Sequence, residues 1–559
     1  MIVPMKHLDL VCLASEKEKT LETLRALGVL HLDFSTASGQ EVVAAKGDVA
    51  DAERAVRLIL KARGKSDDYD IRPHSVSDVL AIEADRQTLL AEKERLEREI
   101  RFFEPYGDFD PDLAVRLKDR VQGLEDVVTL PPRMPEMRLA RLREKLARVE
   151  NRVGIDTAKL AQTDEKAILA SYPELADRVA FAAAKELMAE KGALAVISGW
   201  VPQPLVSKVM EQVVGKSGET LFDRAAKPGW GVLWRDPAAG ETPPTLIEPP
   251  KLFRPVKVLF EGLGVSPAYT EADVSVPFLC YFALFFAMLV GDGAYGAIFL
   301  GATLALRKKL PRSWFVLLSV FSAATVVWGV LSNTWFGAQL PFLAALPTVT
   351  WLGDPSYNNM MLLCFTIGVS HLMLARIWNG ICRLPDTTAI AEFGWAGVLL
   401  MMYLVTNAIV GIFPAFPSWG LWLGGVSIAA VFLFSVKPSE LKTRGAELGM
   451  LPLSIMSALG DIISYVRLFA VGLASVKVAE NFNNMAVGLV QGDDAWWAKA
   501  LLSVAMVAIL IFGHVLNLMM AGLSILVHAV RLNTLEFSNH KGITWSGFAF
   551  RPFARNHRP

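Results

Sequence analysis

Apolar and polar positions are arranged in two ways along this chain. Through residue 255 charged residues separate the apolar ones, and from 256 onward the apolar positions merge into long runs. In the first half, "HLDLVC" (7–12) and "VLHLDF" (29–34) read as short strands. They flank "SEKEKTLETLRALG", a helical pattern with Ser15 as N-cap and Gly28 as stop. That predicts a small βαβ unit. A second strand-and-helix unit is expected at 193–215, "ALAVISGWVP" followed by "QPLVSKVMEQVVG". Between them lie two long charged helical stretches, 78–104 and 134–190. Their apolar positions recur at threes and fours: Leu89, Leu90, Leu96 and Ile100, then Leu139, Leu142, Leu146 and Val149. This pattern predicts an antiparallel coiled-coil hairpin carrying one α/β lobe near the membrane and a second at its far end.

From 256 onward the expected spans are 313–335, 359–381, 389–413, 418–436, 450–490 and 495–535. A further run, 276–305, is interrupted by "GDGAYG" at Gly291–Gly296. As one straight helix it would be ~45 Å long, against a hydrocarbon core of ~30 Å. Loop charges decide how it is counted. If it crosses twice and the first half of the chain is cytoplasmic, "RKKLPR" (307–312), "RIWNGICR" (376–383), "KPSELKTR" (437–444) and the tail "RPFARNHRP" all face the cytoplasm. The opposite loops, 337–358, 414–417 and 491–494, carry no Lys or Arg. This agrees with the positive-inside rule, and a single crossing would invert every loop. Eight membrane helices are therefore expected, the first two forming a short hairpin around Asp292. The domains are then 1–255, cytoplasmic, and 256–559, membrane.

Composition agrees with this division. Of 112 charged residues about 32 lie from 256 onward, in a chain that is 53% hydrophobic. Zero formal net charge gives no sign of nucleic-acid binding. The start, "MIVPMKHLDLV", lacks the cationic segment and h-region of a signal peptide. Cys12, Cys280, Cys364 and Cys382 show no CxxC spacing, which favours apolar burial over a disulfide or metal site. Two "GKS" tripeptides, at 64–66 and 215–217, lack the earlier glycine of a phosphate-binding loop; Ile59 and Met210 stand there. No nucleotide site, cofactor or catalytic residue is expected in this chain.

Ionisable groups inside the last two runs carry the candidate chemistry. A mid-membrane arginine costs ~2.5–3.5 kcal/mol on insertion scales, yet "SYVRLFAVGLASVKV" (464–478) centres on Arg467. At 100° per residue, Gly460, Ser464, Ala474, Asn481 and Asn484 share its face. In the final run His514, Asn517, Ser524, His528 and Arg531 form one polar stripe, with Ala521 completing the row. Such a stripe points at protein or water. The alternative is that these groups join helices, with Arg467 paired to a carboxylate such as Asp461. Lys477 and Glu480, three apart, are expected to neutralise each other. His371 and Arg376 lie near a cytoplasmic end, where Arg376 is expected to snorkel.

The chain resembles subunit a, also called subunit I, of the V/A-type rotary ATPases and ATP synthases. The resemblance rests on "MIVPMKHLDLV…LRALGVLHLDF", "SGWVP" (198–202), "PPTLIEPPKLFRPVKVLFEGLGVSPAYTEADVSVPFL", "SYVRLFAVGLA" and "LVHAVRLNTLEF". "GDGAYG" resembles the family's GDxGYG turn, with Gly293 and Ala294 altering its middle and Gly291, Asp292 and Gly296 as turn residues. Some eukaryotic members carry a histidine eight residues after the arginine; Ser475 stands there in this chain. The resemblance implies a stator subunit of the V0 part, in a prokaryotic plasma membrane, conducting H⁺ or Na⁺. It implies that Arg467 and Arg531 face a rotor ring of c/K proteolipids, and that peripheral-stalk subunits E and G bind the cytoplasmic half. Ser464, Asn481, His514, Asn517, Ser524, His528 and Glu536 are candidates for lining two ion half-channels. The rival class is a secondary transporter or channel with a cytoplasmic regulatory domain, which would be expected to show matching interrupted helices in two halves. The sequence shows one broken hairpin and no internal repeat.

Overall fold

A computed structural model describes the chain except residues 1, 64–71, 73, 121–130, 215–228, 239, 354–355, 438–447, 491–495 and 556–559. Both "GKS" tripeptides, the loop 491–494 and most of 437–444 fall outside the described residues. The chain forms two compact units: Met5–Pro237 with Arg551–Pro559, and Met1–Pro4 with Ala238–Phe550.

The first unit holds a four-stranded antiparallel sheet in the order β2-β3-β1-β4: β1 Met5–Leu13, β2 Ala189–Lys191, β3 Leu194–Pro202 and β4 Gly231–Arg235. Alternation puts Leu8, Leu10 and Cys12 of β1 in the core, beside Ala195, Ile197 and Val201 of β3 and Leu21 and Leu24 of helix α1 (Lys17–Leu27). Gly28 ends α1 in the left-handed conformation, φ 60°. Ser15 does not cap it; Ser15 lies in a 3₁₀ turn, Ala14–Glu16, and Glu16 takes the N-cap position without a side-chain bond.

Two expectations are corrected here. Residues 29–34 do not form a strand. Only His31 bridges, to Trp200, because Asp33 then accepts a hydrogen bond from the Ser35 N–H and starts a 3₁₀ turn. The βαβ units are also not separate lobes. β1 pairs directly with β3 from Met5↔Pro202 to Leu13↔Leu194, so the intervening helices bring the chain back to complete one antiparallel sheet.

Those helices are α2 (Gln40–Arg63), α3 (Val76–Phe103), α4 (Pro111–Arg120), α5 (Leu139–Ala161) and α6 (Glu165–Leu187). A capping box between Ser75 and Asp78 starts α3. The expected helix 134–190 breaks before α6, whose N-cap Asp164 accepts from the Lys166 N–H. α3 and α5 run antiparallel, with Leu89, Leu96, Ile100 and Phe103 against Leu139, Leu142 and Val149. Their flanks carry Lys93–Glu150 (2.8 Å), Lys145–Glu92 (2.9 Å) and Arg143–Glu104 (2.7 Å). Exposed pairs of this kind contribute roughly 0–1 kcal/mol each, so the apolar seam holds the two helices together. α2, absent from the expected elements, packs Ala52, Ala55 and Ile59 against Leu160 and Ile168. Helix α7 (Val206–Val214) follows β3.

The second unit is helical. Among the described residues five helices are long and apolar enough to cross a membrane: Arg312–Ser332, Asn358–Arg383, Thr388–Ile409, Leu451–Gly488 and Ala500–Lys541. A bent pair, Ser275–Val290 and Gly293–Ala305, turns through 120° and raises the number to six if it counts as one span. Eight crossings follow only if both limbs of that pair and the shorter Ser418–Phe434 also span. The turn is built for close approach. Gly291 has φ 71°, and the Asp292 carboxylate accepts from the Ala294 N–H (2.8 Å) and the Gly337 N–H (2.9 Å). A Cβ on Gly329 would lie 2.1 Å from the Cα of Gly293, so the second limb meets Arg312–Ser332 backbone to backbone. All four cysteines are free; Cys12 and Cys364 are buried, Cys280 and Cys382 exposed.

Candidate functional site

The two longest helices both depart from regular α winding where they carry an arginine. Leu451–Gly488 is interrupted at Ser464–Tyr465. Tyr465 is fully buried there, its ring against Gly368 and its hydroxyl 2.8 Å from His371 Nδ1. That anchor sets where the next turn begins, and Arg467 lies in it. In the last helix, Ile525–Ala529 and Leu532–Phe537 are π-wound. A π turn holds more residues than an α turn, so residues five apart stack on one side; π turns are rare and recur at functional sites. Here the winding brings Glu536 under Arg531.

Glu536 is the centre of this geometry. Its Oε1 accepts from Arg531 Nε at 3.3 Å and lies 3.6 Å from Arg467 Nη1. The Glu536 side chain is 5% exposed, that of Arg467 25% and that of Arg531 54%. One buried carboxylate thus faces two guanidinium groups from different helices. Glu536 Oε2 and Arg467 Nη1 are buried and make no hydrogen bond among the described residues. The site holds a net positive charge with unspent donor and acceptor capacity. The carboxylate beside Arg467 is therefore Glu536. Asp461 instead accepts from His540 Nε2 at 3.0 Å.

The polar stripe of the last helix divides. His514 Nδ1 lies 2.7 Å from the Tyr295 hydroxyl, and Asn517 donates to that hydroxyl (3.2 Å) and to the Ser475 carbonyl (2.9 Å). Ser475 Oγ donates to Asn517 Oδ1 at 3.0 Å. This network joins the hairpin's second limb to both long helices. Ser524 bonds back to its own helix at Met520, and Ser464 to Asp461. His528 is close enough to both arginines to interact with their charges. Asn481 is exposed and does not join either group. Lys477 and Glu480 pair at 2.7 Å, as their spacing predicts. Arg376 does not snorkel. It is held by Glu392 (3.2 Å) and by His540 Nδ1 (3.1 Å). A cavity of about 650 Å³ has Leu468 and Gly472 in its wall, within two turns of Arg467, together with Asn333, Lys477, Glu480 and Asn483. Sequence reading missed Tyr295 and this cavity. The tyrosine's position in the turn motif was the available signal.

No protein-family model matches the chain. Among curated proteins, it is 34% identical to the V-type ATP synthase subunit I of Borreliella burgdorferi over 366 positions, covering 61% of this chain and 59% of that protein. Over 646 positions it is 28% identical to V-type ATP synthase subunit I 1 of Treponema pallidum, covering 99% and 100%. The A-type ATP synthase subunit I of Methanocaldococcus jannaschii is 24% identical over 465 positions, covering 76% and 64%.

The chain is a homologue of V-type and A-type ATP synthase subunit I. With its five to six apolar spans, this subunit I homologue is consistent with a multi-pass membrane protein. These relatives are named as subunits of V-type and A-type ATP synthases.

Proposed function

We propose that this chain is the membrane stator subunit of a V/A-type rotary ATPase or ATP synthase, coupling H⁺ or Na⁺ flow to ATP hydrolysis or synthesis. The observation that carries the reading is the convergence of Arg467 and Arg531 on Glu536. Arg531 keeps half its side chain exposed, on a helix whose residues Val504, Ile511, Met519, Leu523 and Leu526 are also exposed. A charged group beside a wide apolar face suits a partner that is itself apolar and carries a buried carboxylate, such as a c/K proteolipid ring. Facing Arg467, a ring carboxylate is favoured in its ionised form and releases its ion. The guanidinium keeps its own proton, so it separates two half-channels without conducting between them.

In this reading the 650 Å³ cavity belongs to one half-channel and the first two membrane limbs both cross, giving eight crossings. Residues 1–255 and the C-terminus are cytoplasmic, and the α3–α5 pair acts as a coiled-coil strut for the E/G peripheral stalk. ATP-driven ion uptake into vesicles holding the assembled complex tests the reading. Arg467→Ala abolishes uptake while a blot still detects assembly; normal uptake by that variant overturns it.

A further inference from the structure

A second group of buried charges lies apart from the two arginines. Arg376 and Arg383 both pair with Glu392, at 3.2 and 2.8 Å, and Glu392 is 5% exposed. Glu392 thus balances one of the two guanidinium charges on that side. Arg376 Nε nevertheless also donates to His540 Nδ1. With Nδ1 accepting, the neutral imidazole carries its proton on Nε2, and Nε2 faces Asp461 Oδ2 at 3.0 Å. The His540 side chain is 5% exposed and that of Asp461 26%. A hydrogen-bonded chain, Arg376 to His540 to Asp461, aims one imidazole N–H at a carboxylate that still reaches the surface.

Position adds to this. His540 is four residues beyond Glu536, and Asp461 is six residues before Arg467. The same two helices therefore meet twice, once through Arg467 and Glu536 and once, about 6–9 Å along, through Asp461 and His540. In the orientation proposed above, the second meeting lies on the cytoplasmic side.

We propose that Asp461 is the group that exchanges protons with the cytoplasm on the approach to Arg467, with His540 as its positioning residue. The inference rests on the stator reading and specifies H⁺ as the ion. The Asp461 carboxylate takes a proton from a cytoplasmic hydronium ion, leaving water. The resulting acid passes that proton to an ionised carboxylate arriving on the ring, and Asp461 returns to its anion. The His540 Nε2–H bond holds the carboxylate in place and favours its anion. The other groups facing His540 are Arg376 and Glu392 behind it, His371 across from it, and Lys541 beside it.

The test is ATP-driven proton pumping by the assembled complex in inverted vesicles, measured against pH on the cytoplasmic face. Asp461→Asn lowers pumping at least about tenfold, Asp461→Glu restores most of it, and His540→Gln shifts the pH midpoint by about one unit. A helix-joining role predicts loss of assembly in Asp461→Asn and an unshifted midpoint in His540→Gln, and that result overturns the proposal. Asp461→Asn pumping at the parent rate overturns it too, as does Na⁺ uptake without proton uptake. Arg467→Ala in the same preparation separates the two failures. If it stops pumping while the Asp461 variants do not, only this inference falls; if it pumps normally, the stator reading falls.

Discussion

Arg531 Nε and Glu536 Oε1 lie 3.3 Å apart although five residues separate them, because the helix between them is π-wound. In an α-helix the same spacing would turn the carboxylate about 140° away from the arginine. The winding places Glu536 where Arg467 also reaches it. Glu536→Gln keeps the shape and an acceptor for Arg531 but removes the negative charge that faces both arginines. Taking one partner from a buried ion pair costs ~3–5 kcal/mol. The expected result is ion transport lowered about tenfold or more in a complex that still assembles. Glu536→Asp, too short to reach both arginines, is expected to fall in between. Uptake assays beside an assembly blot check both; parent-level transport by Glu536→Gln would show that the arginines need no resident counter-ion.

The hairpin turn depends on Asp292, whose buried carboxylate satisfies two backbone N–H groups from different segments, Ala294 and Gly337. Asp292→Ala leaves both donors without that acceptor. At ~1–3 kcal/mol for each unsatisfied buried group, the loss for two is about 2–6 kcal/mol. Asp292→Asn keeps one acceptor oxygen and should recover about half. Thermal unfolding of the detergent-solubilised chain reads the difference as a lowered midpoint, and an unchanged midpoint for Asp292→Ala would refute the capping role.

These two sites show what the sequence could and could not disclose. Gly28 and Gly291 were legible because each ends a helix by a local rule, and both have positive φ. The His514–Asn517 end of the polar stripe was legible because regular α winding holds through Ser524. Beyond Ser524 a projection at 100° per residue fails, since nothing in "ILVHAVRLNTLEF" announces π turns. Arg467 could therefore be placed on a face but not given its partner, and Asp461 was a reasonable but incorrect candidate. The strand expected at 29–34 failed for a similar reason. Its apolar residues are buried, but burial comes from packing in the core with Leu24, Ile197 and Phe553 rather than from a ladder, and the Asp33 turn prevents one. The pairing of β1 with β3 depends on where the long helices return the chain, which no local pattern encodes.

In the first unit, His31 ties the C-terminal tail to the sheet. Its Nδ1 accepts from the Arg551 N–H at 3.0 Å, and Phe553 enters the core beside Leu30. Burial lowers the His31 pKa below the ordinary 6.5, outweighing the opposing pull of the Arg551 carbonyl, whose oxygen lies 2.9 Å from Nδ1. The unfolded chain therefore binds the proton more readily than the folded one. Stability is full above about pH 6.5, falls as pH drops from there toward the folded pKa, and levels off below it. Hydrogen exchange at the Phe553 amide should accelerate on acidification through that window, after correction for intrinsic exchange. His31→Gln should flatten the dependence, and a slope unchanged by that substitution would assign it to another group.

The last prediction concerns sidedness, which loop charge alone sets in the present reading. "RKKLPR" follows the second limb of the bent pair, and the uncharged stretch 337–353 follows the next span, Arg312–Ser332. One long helix separates them, so they must lie on opposite faces of the membrane if that helix crosses. Lys308 and Ala345 are both exposed and serve as reporters. Cys280 and Cys382 are exposed as well, so all four native cysteines must first be replaced. A membrane-impermeant thiol reagent should label Ala345→Cys in intact cells, and Lys308→Cys only in inverted vesicles. The reverse pattern would mean that the bent pair crosses once, or that the first half lies outside, which would move the positive loops or residues 1–255 out of the cytoplasm. Labelling of both positions from one face would instead remove Arg312–Ser332 from the spans. Labelling of Ala345→Cys from outside and Lys308→Cys from inside fits a bent pair that returns to the side it entered from, with the first half of the chain cytoplasmic.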